Sequence, residues 1–352
     1  MTNHPLKILS FGAGAIGTYI GGSLALTGHE VVFVERPNIA KSLNERGLRL
    51  DLSLDTRRET SAADLLPASD LVFVNSLERA LDYGPFDIAV FALKSYDTES
   101  ALKDIALLAD KMPPVLCLQN GVDNEPAIAE ILGPENLISG TVTSAIGRRD
   151  AGDIVLEKLR GIGIANEHPL SERLVKAMNI AFLNAKLYES AADMKWSKML
   201  TNLVGNATSA ILDISPAEIF SRKDLYAFEM RMLREALAVM DAQNIKVVNL
   251  PGTPVNLLAF AAKGPAWLRP LAVKKLGGGR GGKMPSFHID LHSGRDKSEV
   301  DYLNGAIARA GIKTNIPTPV NSLLNKTLLA MTEHKIPLED YAKKPLKLLA
   351  SV

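Results

Sequence analysis

The run Gly12-Ala13-Gly14-Ala15-Ile16-Gly17 stands between an apolar segment, Leu6 to Phe11, and a helical pattern, Ile16 to Thr27, which Gly28 stops. The spacing is G-x-G-x-x-G, and each glycine answers a separate steric demand. Gly12 permits a tight turn out of the strand, Gly14 lets the backbone approach a pyrophosphate, and Gly17 lets helix and strand pack closely. The helix N-terminus then offers free N–H groups and a positive dipole end to phosphate. Alone the motif is weak, because a plain glycine turn has the same letters. Here a strand precedes it, a helix follows, and a second strand, Glu30 to Val34, ends at Glu35 at the distance a β-α-β unit requires. The spacing predicts a dinucleotide site at Gly12, Ala13, Gly14, Ala15, Ile16 and Gly17.

A second cluster, Gly277-Gly278-Gly279-Arg280-Gly281-Gly282-Lys283, mimics a nucleotide-triphosphatase loop. Met284 stands where Ser or Thr would hold magnesium, and no strand precedes the cluster, so it reads as a loop. Further strand candidates are Leu71 to Val74, Ile88 to Leu93 and Val115 to Leu118, alternating with helical patterns. That rhythm predicts an α/β, Rossmann-type, doubly wound parallel sheet. Leu137 to Ile146 and Asp153 to Ile164 read as antiparallel strands on its far side. From about Ser171 the spacing turns helical: Ser171 to Leu183, Met194 to Ala210, Leu225 to Gln243, Glu299 to Ala310 and Asn321 to Thr332. We therefore expect a Rossmann domain over 1–188 and an all-helical substrate-binding and catalytic domain over 189–352. Val248 to Lys283, rich in Pro and Gly, is the least regular stretch and a candidate cover for the cleft.

A chain of 352 residues is long for one core, which agrees with two domains. A net charge of +1 leaves no basic field for nucleic acid or an anionic membrane. No apolar run is long enough to cross a bilayer, and the N-terminus enters a strand almost at once, so a cytoplasmic protein is expected. Cys117 is the single cysteine and lies in an apolar run, as a buried core thiol does.

Several blocks resemble the ketopantoate reductase family over nearly the whole length. They are Gly12 to Gly17, Ala92-Leu93-Lys94, Leu118-Gln119-Asn120-Gly121, Trp196 to Asn202, Pro285-Ser286 and Ser298-Glu299-Val300-Asp301-Tyr302-Leu303-Asn304-Gly305. The last two are the most specific. The resemblance implies NADPH-dependent reduction of 2-dehydropantoate (ketopantoate) to pantoate. Reducing a ketone places negative charge on its oxygen, which a positioned ammonium can stabilise and protonate. Lys198 is the candidate general acid. Asn202 and Asn206 follow at i+4 and i+8, so all three are expected along one helix face, with a solvated face as the competing reading. The resemblance has Asn120 orient nicotinamide and substrate, Lys94 touch the cofactor ribose, and Ser286 bind the substrate carboxylate. It has Glu299 act in catalysis, bonding the substrate hydroxyl or partnering Lys198, and touch the cofactor. Each has a bland counterpart: an Asn-Gly turn, an exposed lysine, a loop serine, and an acid favouring a helix N-terminus. His288 and His292 share a helix face without an evident third ligand, so no metal is expected.

Three departures bear on the substrate. Pro216 falls where the best-known pantoate-forming members have a substrate-touching asparagine, Asp290 to Glu299 is one residue longer than usual, and Val248 to Lys283 is longer than in compact members. The cofactor signals also conflict. Glu35 stands where an acid bonds the ribose of NAD, and Arg36 where an arginine pairs with the extra phosphate of NADP. The family pattern favours Arg36 and NADP, with NAD as the other form and Glu35 turned away or paired with Lys41. The leading function is reduction of a small-molecule 2-oxo acid. The alternatives are a paralogue acting on another 2-oxo acid and a non-catalytic dinucleotide-binding sensor. The oligomeric state stays open, a homodimer being one candidate.

Overall fold

The computed structural model describes residues 4–58, 64–264 and 283–352. Gly277 to Gly282 of the second glycine cluster, and residues 265–282 of the expected cleft cover, lie outside them. The chain forms two compact units. One comprises Met1–Gln119, Asn124–Lys195 and Leu250–Thr253, the other Asn120–Asp123, Trp196–Asn249 and Pro254–Val352. The change of unit after Lys195 falls inside a helix, and each unit takes in a short segment from the other's stretch of sequence.

In the first unit the strands are β1 (Lys7–Phe11), β2 (Glu30–Val34), β3 (Leu48–Asp51), β4 (Asp64–Leu66), β5 (Val72–Val74), β6 (Ile88–Phe91), β7 (Val115–Cys117), β8 (Leu137–Val142), β9 (Ala145–Asp150), β10 (Asp153–Lys158), β11 (Ile162–Ala165) and β12 (Ala185–Tyr188). Eight form one sheet in the order β12-β11-β8-β7-β6-β1-β2-β5. From β5 to β8 every pair is parallel. Period-two alternation sends Ile8, Val31, Phe33 and Val90 to one core and Leu9, Val32, Ala89 and Phe91 to the other. Both faces are covered, which is why these strands read as continuous apolar runs. The helices are α1 (Ala15–Ala25), α2 (Pro37–Arg46), α3 (Leu77–Leu81), α4 (Thr98–Ala106), α5 (Asn124–Leu132) and α6 (Ser171–Ile180).

The far side of the sheet differs from expectation. Leu137 to Ile146 divides into β8 and β9, and Asp153 to Ile164 into β10 and β11. β8 continues the parallel sheet, and β11 pairs antiparallel with it. β9 and β10 leave it and join β3 and β4 in a second sheet, ordered β4-β3-β10-β9. The turn between β9 and β10 reaches the glycine loop, where the Gly152 N–H donates to the Ala13 carbonyl at 3.0 Å.

Helix α7 (Ala191–Leu203) leads into the second unit: α8 (Asn206–Leu212), α9 (Pro216–Ser221), α10 (Lys223–Ala242), α11 (Val255–Lys263), α12 (Ser286–His292), α13 (Ala306–Thr314), α14 (Pro319–Thr332) and α15 (Pro345–Leu349). No helix among the described residues is long and apolar enough to cross a membrane. The expected single helix Met194 to Ala210 is broken at Gly205, whose φ of +61° is left-handed. Buried Glu229 of α10 pins the break by accepting from the Gly205 N–H at 2.7 Å and from the Thr208 hydroxyl. The segment Asp301–Gly305 is a π-helical turn ahead of α13 rather than its regular first turn. Asn304 in that turn donates to Asn321 Oδ1 at 3.0 Å. Glu235 accepts from the Val320 and Asn321 N–H groups, both at 3.0 Å, which caps α14.

Glu229→Ala leaves the Gly205 N–H and the Thr208 hydroxyl without their acceptor in a dry core. The expected loss is about 3 kcal/mol of unfolding free energy, measured by urea denaturation.

Candidate active site

The glycine loop of the first unit meets the three demands read from its spacing. Gly12 has φ of +90°. A Cβ on Gly17 would stand 2.0 Å from the Gly12 carbonyl oxygen, whereas one on Gly14 would meet nothing within 4 Å. The loop thus packs tightly at its third glycine and is open at its second. Glu35 does not turn away and does not pair with Lys41 there. Its Oε1 accepts from the Ala13 N–H at 2.6 Å and its Oε2 from the Arg36 N–H at 3.1 Å. Arg36 caps α2 and is exposed. A groove of about 880 Å³ lies along the β5 edge, and its lining mixes Lys41 and Arg79 with Glu45 and Asp82.

Beneath the ends of β6 and β7 lies a buried polar network that the sequence reading missed. Gln119 Nε2 donates to the Leu93 carbonyl at 3.1 Å and to Thr98 Oγ1 at 2.8 Å. Thr98 donates to Asn124, and Asn124 to Ser95. This ties the turn carrying Lys94, half-buried after β6, to the end of β7. Lys195, 5% exposed, donates from Nζ to the Gln119 carbonyl at 2.6 Å and pairs with Glu125 Oε1 at 2.5 Å. Burial pushes the Lys195 ammonium down, but the Glu125 carboxylate outweighs it and holds the group above the usual lysine range. Burial pushes the neighbouring Cys117 thiol up, so it stays protonated and inert. The one sequence signal for the pair was a lysine and a glutamate falling at otherwise apolar positions.

Asn120 belongs with the second unit, not with the Rossmann fold where its strand had placed it. Arg309 donates to Asp123 at 2.7 Å and to Asp301 at 3.0 Å, anchoring this segment to the π-turn. Gly121, at φ +89°, leaves no room for a Cβ against the Tyr302 carbonyl, 2.7 Å away. Asn202 Nδ2 donates to Asn120 Oδ1 at 3.0 Å. Asn206 Nδ2 donates to the Asn202 carbonyl at 3.1 Å and approaches Ser286 Oγ at 3.5 Å, while its Oδ1 accepts from the Phe287 N–H at 3.1 Å. The fold thereby joins Asn120, Asn202, Asn206 and Ser286 in one row. Lys198 is half-buried on α7, one turn before Asn202. Asn206 opens α8 beyond the break, so the three side chains are not on one continuous helix. Glu299 is 4% exposed beside the π-turn. Pro216, buried, is the first residue of α9, with Ser215 as its cap.

The histidine pair also differs from expectation, since a third potential ligand is present. Asp213 Oδ1 lies 2.8 Å from His288 Nε2 and 3.9 Å from His292 Nε2.

Residues 8–167 match the family model described as ketopantoate reductase PanE/ApbA, and residues 190–332 match the model of its C-terminal part. A 2-dehydropantoate 2-reductase of Pyrococcus horikoshii is 27% identical over 91% of this chain and 95% of its own length. One from Lactococcus lactis is 26% identical over 93% and 98%. The crystal structure of a PanE/ApbA family ketopantoate reductase from Ralstonia eutropha superposes with a TM-score of 0.77 at 25% identity, covering 94% of this chain and 99% of that one. A D-mandelate dehydrogenase in complex with NADH and anilino(oxo)acetate has the same fold, with a TM-score of 0.73 at 22% identity over the same shares.

Removing one partner of the Lys195–Glu125 pair leaves a buried charge uncompensated. Lys195→Met is expected to cost about 3–5 kcal/mol in chemical denaturation, and Lys195→Met with Glu125→Leu to recover much of it. The sign of the pH dependence follows from the raised lysine. Its contribution is complete below the unfolded value of about 10.4 and is lost as pH rises through the higher folded value.

Proposed function

Because this chain belongs to the PanE/ApbA ketopantoate reductase family, we propose that it reduces a 2-oxo acid, with 2-dehydropantoate as the first candidate and pantoate as its product. The observation that carries this reading is the row Asn120–Asn202–Asn206–Ser286, with Lys198 one turn away on α7. Amide and hydroxyl groups without a carboxylate among them suit an anionic substrate. A bound nicotinamide cofactor supplies the hydride to C2. Lys198 stabilises the developing alkoxide, gives its Nζ proton to that oxygen, and regains a proton from solvent. Ser286 and Asn206 hold the carboxylate, Asn202 fixes the amide of Asn120, and Asn120 orients the reacting carbonyl. Glu299 takes the substrate hydroxyl or the lysine as its partner.

In this reading the cofactor phosphates meet Gly12 to Gly17, and Lys94 meets the nicotinamide ribose. We assign Arg36 to the extra phosphate of NADPH, on the strength of its exposure at the start of α2. Glu35 opposes that assignment: its carboxylate is held at the loop by two N–H groups, leaving a negative charge beside the phosphate position. A modest preference for NADPH over NADH follows. Pro216 supports a second substrate reading, because a buried proline that begins a helix offers no donor where the relatives' asparagine would. An aryl 2-oxo acid belongs in the test, since the D-mandelate dehydrogenase of this fold was solved with anilino(oxo)acetate.

A panel of 2-oxo acids followed by cofactor absorbance is expected to give the highest kcat/KM with 2-dehydropantoate. Cofactor binding with no turnover on any member would favour the sensor reading. Lys198→Ala is expected to lower kcat about a hundred- to ten-thousand-fold with cofactor affinity retained; near-normal turnover removes Lys198 from the chemistry. Arg36→Ala is expected to reduce the NADPH/NADH ratio of kcat/KM, and an unchanged ratio with NADH preferred makes Glu35 the specificity residue.

A further inference from the structure

The cluster Asp213–His288–His292 lies in the second unit, on the two helices that carry Ser286 and Asn206, and includes none of the residues assigned to the reductase. His288 and His292 are spaced i, i+4 on α12, so both imidazoles leave the same face. Asp213 ends α8 in the left-handed conformation, φ 50°, which turns its carboxylate toward that face. The ligand atoms of the three side chains all lie within 4.8 Å of one another. Around tetrahedral zinc, with bonds of about 2.0–2.1 Å, neighbouring ligand atoms stand about 3.3 Å apart. The two Asp213 distances, 2.8 and 3.9 Å, lie on either side of that value. A shared ion would draw the three ligand atoms in from their present separations, all within 4.8 Å, and would turn the stacked imidazoles so that their in-plane lone pairs converge.

A hydrogen bond joins His288 to Asp213, and His292 makes its own with the Ala210 backbone while its other nitrogen faces Asp213. The two imidazole rings are stacked, 4.0 Å between centroids and 22° between planes, with one carboxylate serving both. Burial and the neighbouring His288 push His292 below the ordinary histidine range, against the Asp213 charge and the Ala210 hydrogen bond, which raise it. The bond from His288, opposed by burial and aided by the charges of His292, His288 and Lys343, holds the Asp213 carboxyl below its ordinary range. Lys343, whose N–H also bonds the Leu212 carbonyl at 2.7 Å, is a nearby cation acting against a metal.

We propose that Asp213, His288 and His292 form a binding site for a late first-row divalent cation of the zinc class. Two imidazoles and a carboxylate are a donor set that suits Zn²⁺, Ni²⁺ or Cu²⁺ rather than Mg²⁺. The exposed side of His292 leaves a fourth position for water. The bound cation cross-links the second turn of α12 to the end of α8. These are the two helices whose first residues are Ser286 and Asn206, and α12 packs against α8 along its length. Occupancy therefore stiffens the helix pair that carries the Asn206–Ser286 contact. The site stands independently of the substrate reading.

The test is isothermal titration of chelator-treated full-length protein with ZnCl₂, with MgCl₂ as control, alongside thermal melts. The wild type is expected to take up one zinc per chain at this site, with a rise in Tm, and to give no heat with magnesium. His292→Ala keeps the Asp213–His288 hydrogen bond and so keeps the fold, which circular dichroism checks. Both His292→Ala and Asp213→Asn are expected to weaken zinc binding by at least about tenfold and to abolish the Tm rise. Absence of zinc uptake by the wild type, or either variant binding as tightly as the wild type, overturns the proposal.

Discussion

A buried ammonium organises the end of the parallel sheet that is tied to the turn carrying Lys94. Lys195 reaches the Gln119 carbonyl and the Glu125 carboxylate, with a longer contact of 3.4 Å to the Gly140 carbonyl. These three lie after β7, in α5 and in β8. A charge at 5% exposure is costly unless every donor is used, so the site tolerates little displacement of any of the three. The Gln119 side chain extends the constraint to Leu93 and Thr98, fixing the turn that presents Lys94. The precision of this region therefore comes from the directional bonds of desolvated polar groups, more than from its apolar packing.

The second unit solves a similar problem with a break. A straight helix from Met194 to Ala210 would set Asn206 two turns beyond Lys198 on the same stripe. The left-handed Gly205, held by Glu229, redirects the chain and lets Asn206 use both ends of its amide, one on the Asn202 carbonyl and one on the Phe287 N–H. The π-turn at Asp301–Gly305 serves the neighbouring segment. It places Asp301 to receive Arg309, which also holds Asp123, and brings the Tyr302 carbonyl against Gly121. Asn120 is thus presented by contacts with helices distant in sequence. Irregular helical turns of this kind recur at functional sites because they re-aim side chains that a regular helix would misplace.

Read from sequence, the glycine loop, strands β1, β2, β5, β6 and β7 and helices α1, α6, α10, α13 and α14 were legible, because each depends on local demands: φ sign, period-two or helical apolar spacing, and the requirement for close packing at Gly17. The second sheet was not legible. β3 and β4 are short, and β9 and β10 carry exposed charges that resemble the flanks of longer strands. Their pairing brings Arg49 opposite Asp153, a contact decided by chain far away.

The sequence by itself determined the glycine loop and the α/β-then-helical order, which follow from residue type and local spacing, and its resemblance to the ketopantoate reductases singled out the candidate residues Lys198, Asn202, Asn206, Ser286 and Glu299. Only the tertiary structure decided that Asn120 joins the helical unit, that Glu35 closes on Ala13, that Lys195 and Glu125 meet, and that Asp213 completes the two histidines. The physical reason is common to all four. Each depends on a polar group losing water and finding its partner across tens or hundreds of residues, and no periodicity in the chain encodes such a meeting.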